Sequence, residues 1–183
     1  MLRWGCNFGI QVKMDAMEPS SPVGISDSTR TMLRHTLATL AYRGAKAVHG
    51  APEGFAEFRI GDKSRTPGQI LAHVSDLLDW GLSLAKGEHK WHDSEPVDWS
   101  RGTLRFFAAL EAFDSRLGSD LPLECPPERL FQGPIADALT HVGQIAMLRR
   151  LAGAPVRGEN YFRAQIAAGR VKSDQPAAIQ EFD

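Results

Sequence analysis

Apolar residues recur every three to four positions along most of the chain, and this spacing predicts amphipathic helices. The four predicted helices cover residues 26–48, residues 66 to about 86, residues 100 to about 117, and the stretch between Gly133 and Gly153. A weaker pattern at residues 159–168 predicts a short fifth helix near the C-terminus. No segment shows a convincing strand pattern. The sequence therefore predicts an all-α fold, a four-helix bundle with a short C-terminal helix.

The pattern also predicts how the chain is divided. The bundle is expected to occupy residues 26–169 as one domain. Residues 1–25 show no sustained period, so we expect an N-terminal arm or extension there. Residues 170–183 are expected to form a loose C-terminal tail.

Capping residues sharpen the helix boundaries. Thr66 and Gln69 have the spacing of a capping box at the start of the second helix. Ser100 is the expected cap of the third helix. Pro134 suits the first position of the fourth helix, where its missing N–H leaves no hydrogen bond unmade, and Gly153 is expected to end that helix.

The fourth helix carries one polar cluster on an otherwise apolar or small-residue surface. At 100° per residue, Asp137, His141 and Gln144 fall within an arc of about 60°. The helix is predicted to be mostly buried, and this cluster is predicted to be buried with it. A buried carboxylate and imidazole need partners or a metal, and a spacing of four residues presents both from one face. A hydrogen-bonded pair in the core and a solvated face are the alternatives.

The second helix adds a histidine to this picture. His73 lies in the middle of the apolar face of that helix, where a histidine satisfied within the core is the alternative to a ligand. The opposite face is predicted to be exposed to solvent and carries Ser75, Asp76, Asp79, Ser83 and Lys86. Together with Asp137 and His141, His73 gives three ligand-type side chains on two helices, which is the donor set of an open three-ligand metal site.

Three further ligand-type residues lie in the loop after the second helix, His89, His92 and Asp93. Lysine and glutamate residues are interspersed with them, as in a solvated loop. We therefore expect these side chains to be solvated rather than to bind a metal.

Composition and charge exclude several classes of protein. The chain of 183 residues has 21 Lys+Arg and 22 Asp+Glu, and without a basic face it is not expected to bind nucleic acid. Its two cysteines, Cys6 and Cys125, form no disulfide framework, which fits a reducing compartment. No apolar run approaches the ~20 residues that span a bilayer, so we expect no membrane association and a cytoplasmic location.

These residues resemble the DinB-like (DinB/YfiT) family of small bacterial metal-binding bundles, over about residues 26–169. The resemblance rests on Ile70-Leu71-Ala72-His73 in the second helix and, in the fourth, on Asp137, His141, Gly143-Gln144, Arg149 and Gly153. Family members carry a histidine on the second helix and a His-x-x-x-His pair on the last. Here Asp137 replaces the first histidine of that pair, and Val142 replaces a frequent arginine.

The resemblance implies that His73, Asp137 and His141 bind one divalent metal ion. Gln144, one turn beyond His141, is expected to orient a ligand or to support one from outside the coordination sphere, and a hydrogen-bond partner in the core is the alternative. Two histidines and one carboxylate suit Zn²⁺ or Ni²⁺, and they also resemble the ligand set of non-haem Fe(II) sites. A homodimer is implied as well.

The resemblance further implies a metal-dependent transferase or hydrolase that acts on a small-molecule substrate. Its metal would activate water or a low-molecular-weight thiol such as bacillithiol or mycothiol. The alternative is a non-catalytic bundle that binds a metal or a small ligand and serves as an interaction module. Open coordination positions favour the enzyme, whereas a fourth protein ligand favours the alternative.

Overall fold

The structure, a computed structural model, describes residues 27–182. It is mostly helical, as predicted. The long helices are α1 (Asp27–Val48), α2 (Pro67–Ala85), α3 (Trp99–Leu117) and α5 (Ala136–Leu151), and α4 (Pro127–Leu130) is a single turn. Two 3₁₀ turns (Phe55–Glu57 and Tyr161–Arg163), a π turn (Phe131–Ile135) and two short strands, β1 (Gly158–Glu159) and β2 (Glu181–Phe182), complete the described elements. The predicted arm, residues 1–25, lies outside the described residues.

The four long helices pack around one apolar core. Helix α2 contacts α3 and α5, and α1 contacts the same two helices. The core is filled by fully buried side chains that include Leu37, Leu78, Phe106, Leu110 and Ile145. Helices α2 and α3 approach closely at Gly81, where a Cβ atom would lie 2.6 Å from the Phe113 ring. A larger residue at that position would push the two helices apart. None of the described helices combines the length and the apolar character that crossing a membrane requires.

The helix that carries Asp137 begins earlier than predicted. Helical structure starts at Pro127 and passes through a π turn, Phe131–Ile135, before α5 begins. Pro134 therefore lies inside the π turn and is not the first helical residue. A proline lacks the N–H for a helical hydrogen bond and clashes with the preceding turn, and the wider π turn accommodates both effects. The predicted end is correct, because Gly153 adopts a left-handed conformation with φ of 77° just after α5.

Two helix starts test the capping predictions. The Thr66 hydroxyl accepts a hydrogen bond from the Gln69 N–H, and the Gln69 side chain accepts one from the Thr66 N–H, so the capping box is confirmed. The cap of α3 is Asp98 rather than Ser100, because the Asp98 carboxylate accepts from the Arg101 N–H.

Arg149 holds two helix ends together. Its side chain is buried and donates to the carbonyl oxygens of Ala47, His49 and Gly50 at the end of α1, and to that of Ala154 after α5. Carbonyls at helix C-termini lack partners within their own helix and favour a cation. Burial lowers the pKa of this guanidinium. Within the motif that suggested the family, Arg149 thus has a structural role.

The loop between α2 and α3 covers a face of α2 that was predicted to be exposed. Ser75, Asp76 and Ser83 are all buried beneath it or beside α3. The Asp76 carboxylate accepts hydrogen bonds from the N–H and hydroxyl of Ser94, at 2.9 Å and 2.7 Å, and from Arg105. The prediction of a solvent face was wrong because helical periodicity does not reveal that a loop folds back over polar side chains.

The C-terminal segment also differs from its prediction. Residues 159–168 contain the 3₁₀ turn Tyr161–Arg163 and no α-helix, so the predicted fifth helix is wrong. Residues 170–182 are not a loose tail, since Val171 is buried and β2 pairs antiparallel with β1.

Glu159 anchors this segment to α1. Its buried carboxylate accepts from the Tyr42 hydroxyl at 2.7 Å and from Lys46 at 2.8 Å. Burial, and then the hydrogen bond to Glu159, raise the pKa of Tyr42, so the tyrosine stays protonated and keeps donating. A buried acid with two donors gives the segment a fixed attachment that composition alone does not indicate.

Candidate metal centre

Helices α2 and α5 bring His73, Asp137 and His141 together. Asp137 lies between the two imidazoles, with Oδ1 at 3.4 Å from His141 Nε2 and Oδ2 at 3.9 Å from His73 Nε2. The two imidazole rings are perpendicular, with centroids 4.8 Å apart. One ligand atom from each residue lies within 4.8 Å of the others, so the three side chains could hold a metal ion.

The cluster lies at the surface, whereas the sequence predicted that it would be buried. The Asp137 side chain is 48% exposed, and those of His73 and His141 are 20% and 13% exposed. Gln144 is also exposed. Helix α5 is packed on one side only, and its other side exposes Met147 and Leu151. A helix with apolar residues around its whole circumference gave no sign of which side faces solvent.

A hydrogen bond to Gln144 orients the His141 ring so that Nε2 faces Asp137. His141 Nδ1 lies 2.8 Å from the Gln144 side-chain oxygen, to which an Nδ1–H donates. The proton on Nδ1 leaves the lone pair on Nε2, which is the nitrogen that faces Asp137. A hydrogen bond of this kind fixes the tautomer and ring orientation of metal-ligating histidines. We expected Gln144 to orient a ligand, and the residue that its side chain contacts is His141.

The surroundings of His73 favour its neutral, metal-binding form. Burial lowers the pKa of this imidazole, and the nearby His141 and Arg65 lower it further against the opposing charges of Asp137 and Asp76. A neutral imidazole has a free lone pair at physiological pH, and histidine must be neutral to bind a metal.

The donor set and its spacing fit a divalent cation. Zinc binds histidine nitrogen and carboxylate oxygen at about 2.0–2.2 Å in tetrahedral sites, which places neighbouring ligand atoms about 3.3 Å apart. The His141–Asp137 distance of 3.4 Å is close to this value, whereas the His73–Asp137 distance of 3.9 Å is longer. Within residues 27–182, no fourth histidine, cysteine or carboxylate joins the group. Three ligands leave coordination positions open.

The loop residues are not part of this group. His89 contacts the Trp80 ring, with centroids 5.8 Å apart, and His92 and Asp93 line two separate cavities. In the part of the chain that the structure describes, they form no ligand cluster of their own. All three side chains are exposed, as expected for a solvated loop.

Two cavities adjoin α2. The smaller, about 200 Å³, opens beside His73 and has mostly polar walls from Arg65, Gln69, Asp76, Asp93, Ser94, Glu95 and Pro96. The larger, about 390 Å³, lies between α2, α3 and the loop and includes none of the three ligand-type residues. Of these two cavities, the smaller one therefore adjoins the ligand-type cluster, despite the greater volume of the other.

Two features next to the cluster were missed in the sequence. Asp76 was assigned to the surface, yet it anchors the loop at Ser94, and Trp91 in that loop contacts His73 with ring centroids 5.7 Å apart. The sequence signal for the anchored loop was the seven-residue spacing of Asp76 and Ser83, which places two polar groups on one face of α2.

The fold and site together describe a mostly helical protein whose α2 and α5 bear a surface group of two histidines and one aspartate suited to a divalent metal. No family model, no curated protein and no solved structure matches the chain.

Proposed function

We propose that this chain is a DinB-like metalloprotein, a four-helix bundle in which His73, Asp137 and His141 bind one divalent ion, Zn²⁺, Ni²⁺ or Fe²⁺. The convergence of the three donors on one point is the observation that carries the proposal. His73 lies more than sixty residues before Asp137 and His141 in the sequence, and all three are the positions at which the family resemblance places ligands.

The proposed activity is that of a metal-dependent transferase or hydrolase. A divalent ion at this point would supply positive charge that lowers the pKa of an approaching thiol or water. His73 and His141 would bind it through Nε2, with Gln144 holding the His141 ring in place. The exposed side of Asp137 leaves access for a small-molecule substrate such as a low-molecular-weight thiol.

The absence of a fourth ligand-type residue within residues 27–182 favours an enzyme over a closed structural site. A non-catalytic bundle that binds a metal or small ligand is the competing function. A homodimer and a cytoplasmic location are also part of the proposal, and they rest on the family resemblance and on composition.

The test has two stages. Purified protein is loaded with Zn²⁺, Ni²⁺ or Fe²⁺ and its metal content is measured; one ion per chain is expected, and none in a His73→Ala/His141→Ala double variant. The loaded protein is then mixed with a low-molecular-weight thiol and an electrophile, and the loss of free thiol is followed. Metal binding without thiol or water chemistry on any substrate would favour the non-catalytic function, and no metal binding would overturn the proposal.

A further inference from the structure

An exposed tryptophan stands beside the proposed metal site. The Trp91 ring contacts the His73 imidazole at a centroid distance of 5.7 Å and an interplanar angle of 68°. Its other aromatic neighbour is Trp80, at 5.8 Å and nearly perpendicular. Although tryptophan is usually well buried, Trp91 is 46% exposed. Two aromatic contacts fix the ring while nearly half of its surface stays open to solvent.

The loop that carries Trp91 is attached to α2 on both sides of it. The Lys90 N–H donates to the Ser83 hydroxyl at 3.2 Å, and Ser94 donates twice to the Asp76 carboxylate. Ser83 and Asp76 are seven residues apart, about two helical turns, so both anchors lie on one face of α2. Hydrogen bonds to α2 therefore anchor the loop on both sides of residues 91–93.

Such attachment is what a preorganised contact surface needs. A rigid aromatic side chain provides a large contact area and loses little conformational entropy when a ligand binds. Aromatic rings interact favourably at centroid distances of about 4.5–7 Å, and the His73 ring already lies within this range of Trp91. A flat group held next to the His73 side of the metal would come within the same range.

We propose that Trp91 is a specificity-determining residue that contacts a planar, aromatic or conjugated group of the substrate. The substrate class is a small molecule whose metal-binding polar group is attached directly to such a flat group. This inference rests on the proposed metal site, because His73, the neighbour of Trp91, would hold the ion to which the substrate binds.

A matched pair of metal-binding probes tests it. Acetohydroxamate and benzohydroxamate bind a metal through the same hydroxamate, and they differ in a methyl group against a phenyl ring. Their affinities for zinc-loaded protein are measured by calorimetry for the wild type, Trp91→Ala and Trp91→Phe. We expect the wild type to prefer benzohydroxamate and Trp91→Ala to reduce that preference about 3- to 10-fold, as expected for one aromatic contact. Trp91→Phe should keep most of it.

Controls separate this inference from the proposed function. Phe162 is 98% exposed and outside the site, so Phe162→Ala should leave the preference unchanged. Zinc affinity, measured before each probe, should be the same in all variants, because Trp91 is not a ligand. If zinc binds but Trp91→Ala retains the wild-type preference, the role of Trp91 is wrong and the metal site stands. If none of Zn²⁺, Ni²⁺ and Fe²⁺ binds to the wild type, both are wrong.

Discussion

Two polar clusters lie about one turn apart on α2 and are built in opposite ways. At Asp76, the carboxylate is buried and each oxygen accepts a hydrogen bond, from Ser94 and Arg105. At His73, the neighbouring groups are 3.4–3.9 Å apart around a half-exposed Asp137 carboxylate. The first cluster is complete within the protein, whereas the second has three donor atoms within 4.8 Å of one another, between which a metal ion could lie. Burial and saturated hydrogen bonding indicate a structural role for the Asp76 cluster, whereas the exposed His73 cluster could hold a metal ion.

The largest expected effect is on stability, at the saturated cluster. Asp76→Ala should lower the free energy of unfolding by about 3 kcal/mol, because it leaves the Ser94 N–H and hydroxyl without their acceptor and removes one of the two carboxylates that Arg105 contacts. This value is at the low end for a broken buried pair, since the Arg105 side chain is 32% exposed. Asp137→Ala, in the presence of a chelator, should change the free energy of unfolding by less than about 0.5 kcal/mol, as is usual for an exposed residue. Urea unfolding measures the stability of both variants. If Asp76→Ala and Asp137→Ala lost the same free energy of unfolding, the two clusters would not differ in their structural role.

For zinc affinity, we expect the larger effects at the His73 cluster rather than at the Asp76 cluster. His73→Ala, His141→Ala and Asp137→Ala should each weaken zinc binding at least about 100-fold, since the loss of a mere supporting hydrogen bond already costs about 10- to 100-fold. His92→Ala is the matched control, because that histidine lies outside the ligand group. Competition with a chromophoric chelator gives the affinities. If Asp137→Ala had the zinc affinity of the wild type, the Asp137 carboxylate would not be a ligand of the ion.

Gln144→Ala should have a smaller effect on the same property. Without the hydrogen bond at 2.8 Å, the His141 ring can rotate and adopt either tautomer, so zinc affinity should fall about 10-fold. Thr140→Ala is a suitable control, because its hydroxyl only bonds the Ala136 carbonyl of the same helix. Equal affinities for Gln144→Ala and the wild type would leave Gln144 as an ordinary surface residue.

Asp137→His should keep metal binding while changing its preference. A carboxylate brings negative charge and favours harder ions, whereas a third imidazole suits Zn²⁺ and Ni²⁺. We expect Zn²⁺ and Ni²⁺ affinities to rise relative to Fe²⁺ by several-fold, measured by titration under anaerobic conditions. Identical ratios in both proteins would argue that residue 137 does not contact the ion.

The smallest expected effect is that of metal removal on the fold. The apolar core is formed by four long helices without the cluster, so a chelator should leave the helical circular dichroism signal at 25 °C unchanged. The melting temperature should fall only by the amount that mass action predicts for a ligand that binds the folded state. Unfolding by the chelator would instead assign the ion a structural role.

The comparison of the two clusters also shows what could be predicted from sequence. The long helices, the Thr66 capping box and the three ligand-type residues follow from periodicity and spacing, which are local properties. The burial of Asp76 was not predictable in this way, because it depends on a loop that closes over α2 through Ser94. The exposure of Asp137 was also missed, because α5 is apolar on its open side as well as its packed side. The C-terminal anchor at Glu159 depends on contacts with α1 more than 100 residues away.

The most direct test of the metal site is a crystal structure of the protein soaked with one equivalent of Zn²⁺, with anomalous diffraction collected at the zinc edge. One anomalous peak is expected about 2.0–2.2 Å from His73 Nε2, His141 Nε2 and an Asp137 oxygen, with at least one remaining position held by solvent. A peak at the loop histidines His89 or His92, or no peak near α2 and α5, would contradict the account.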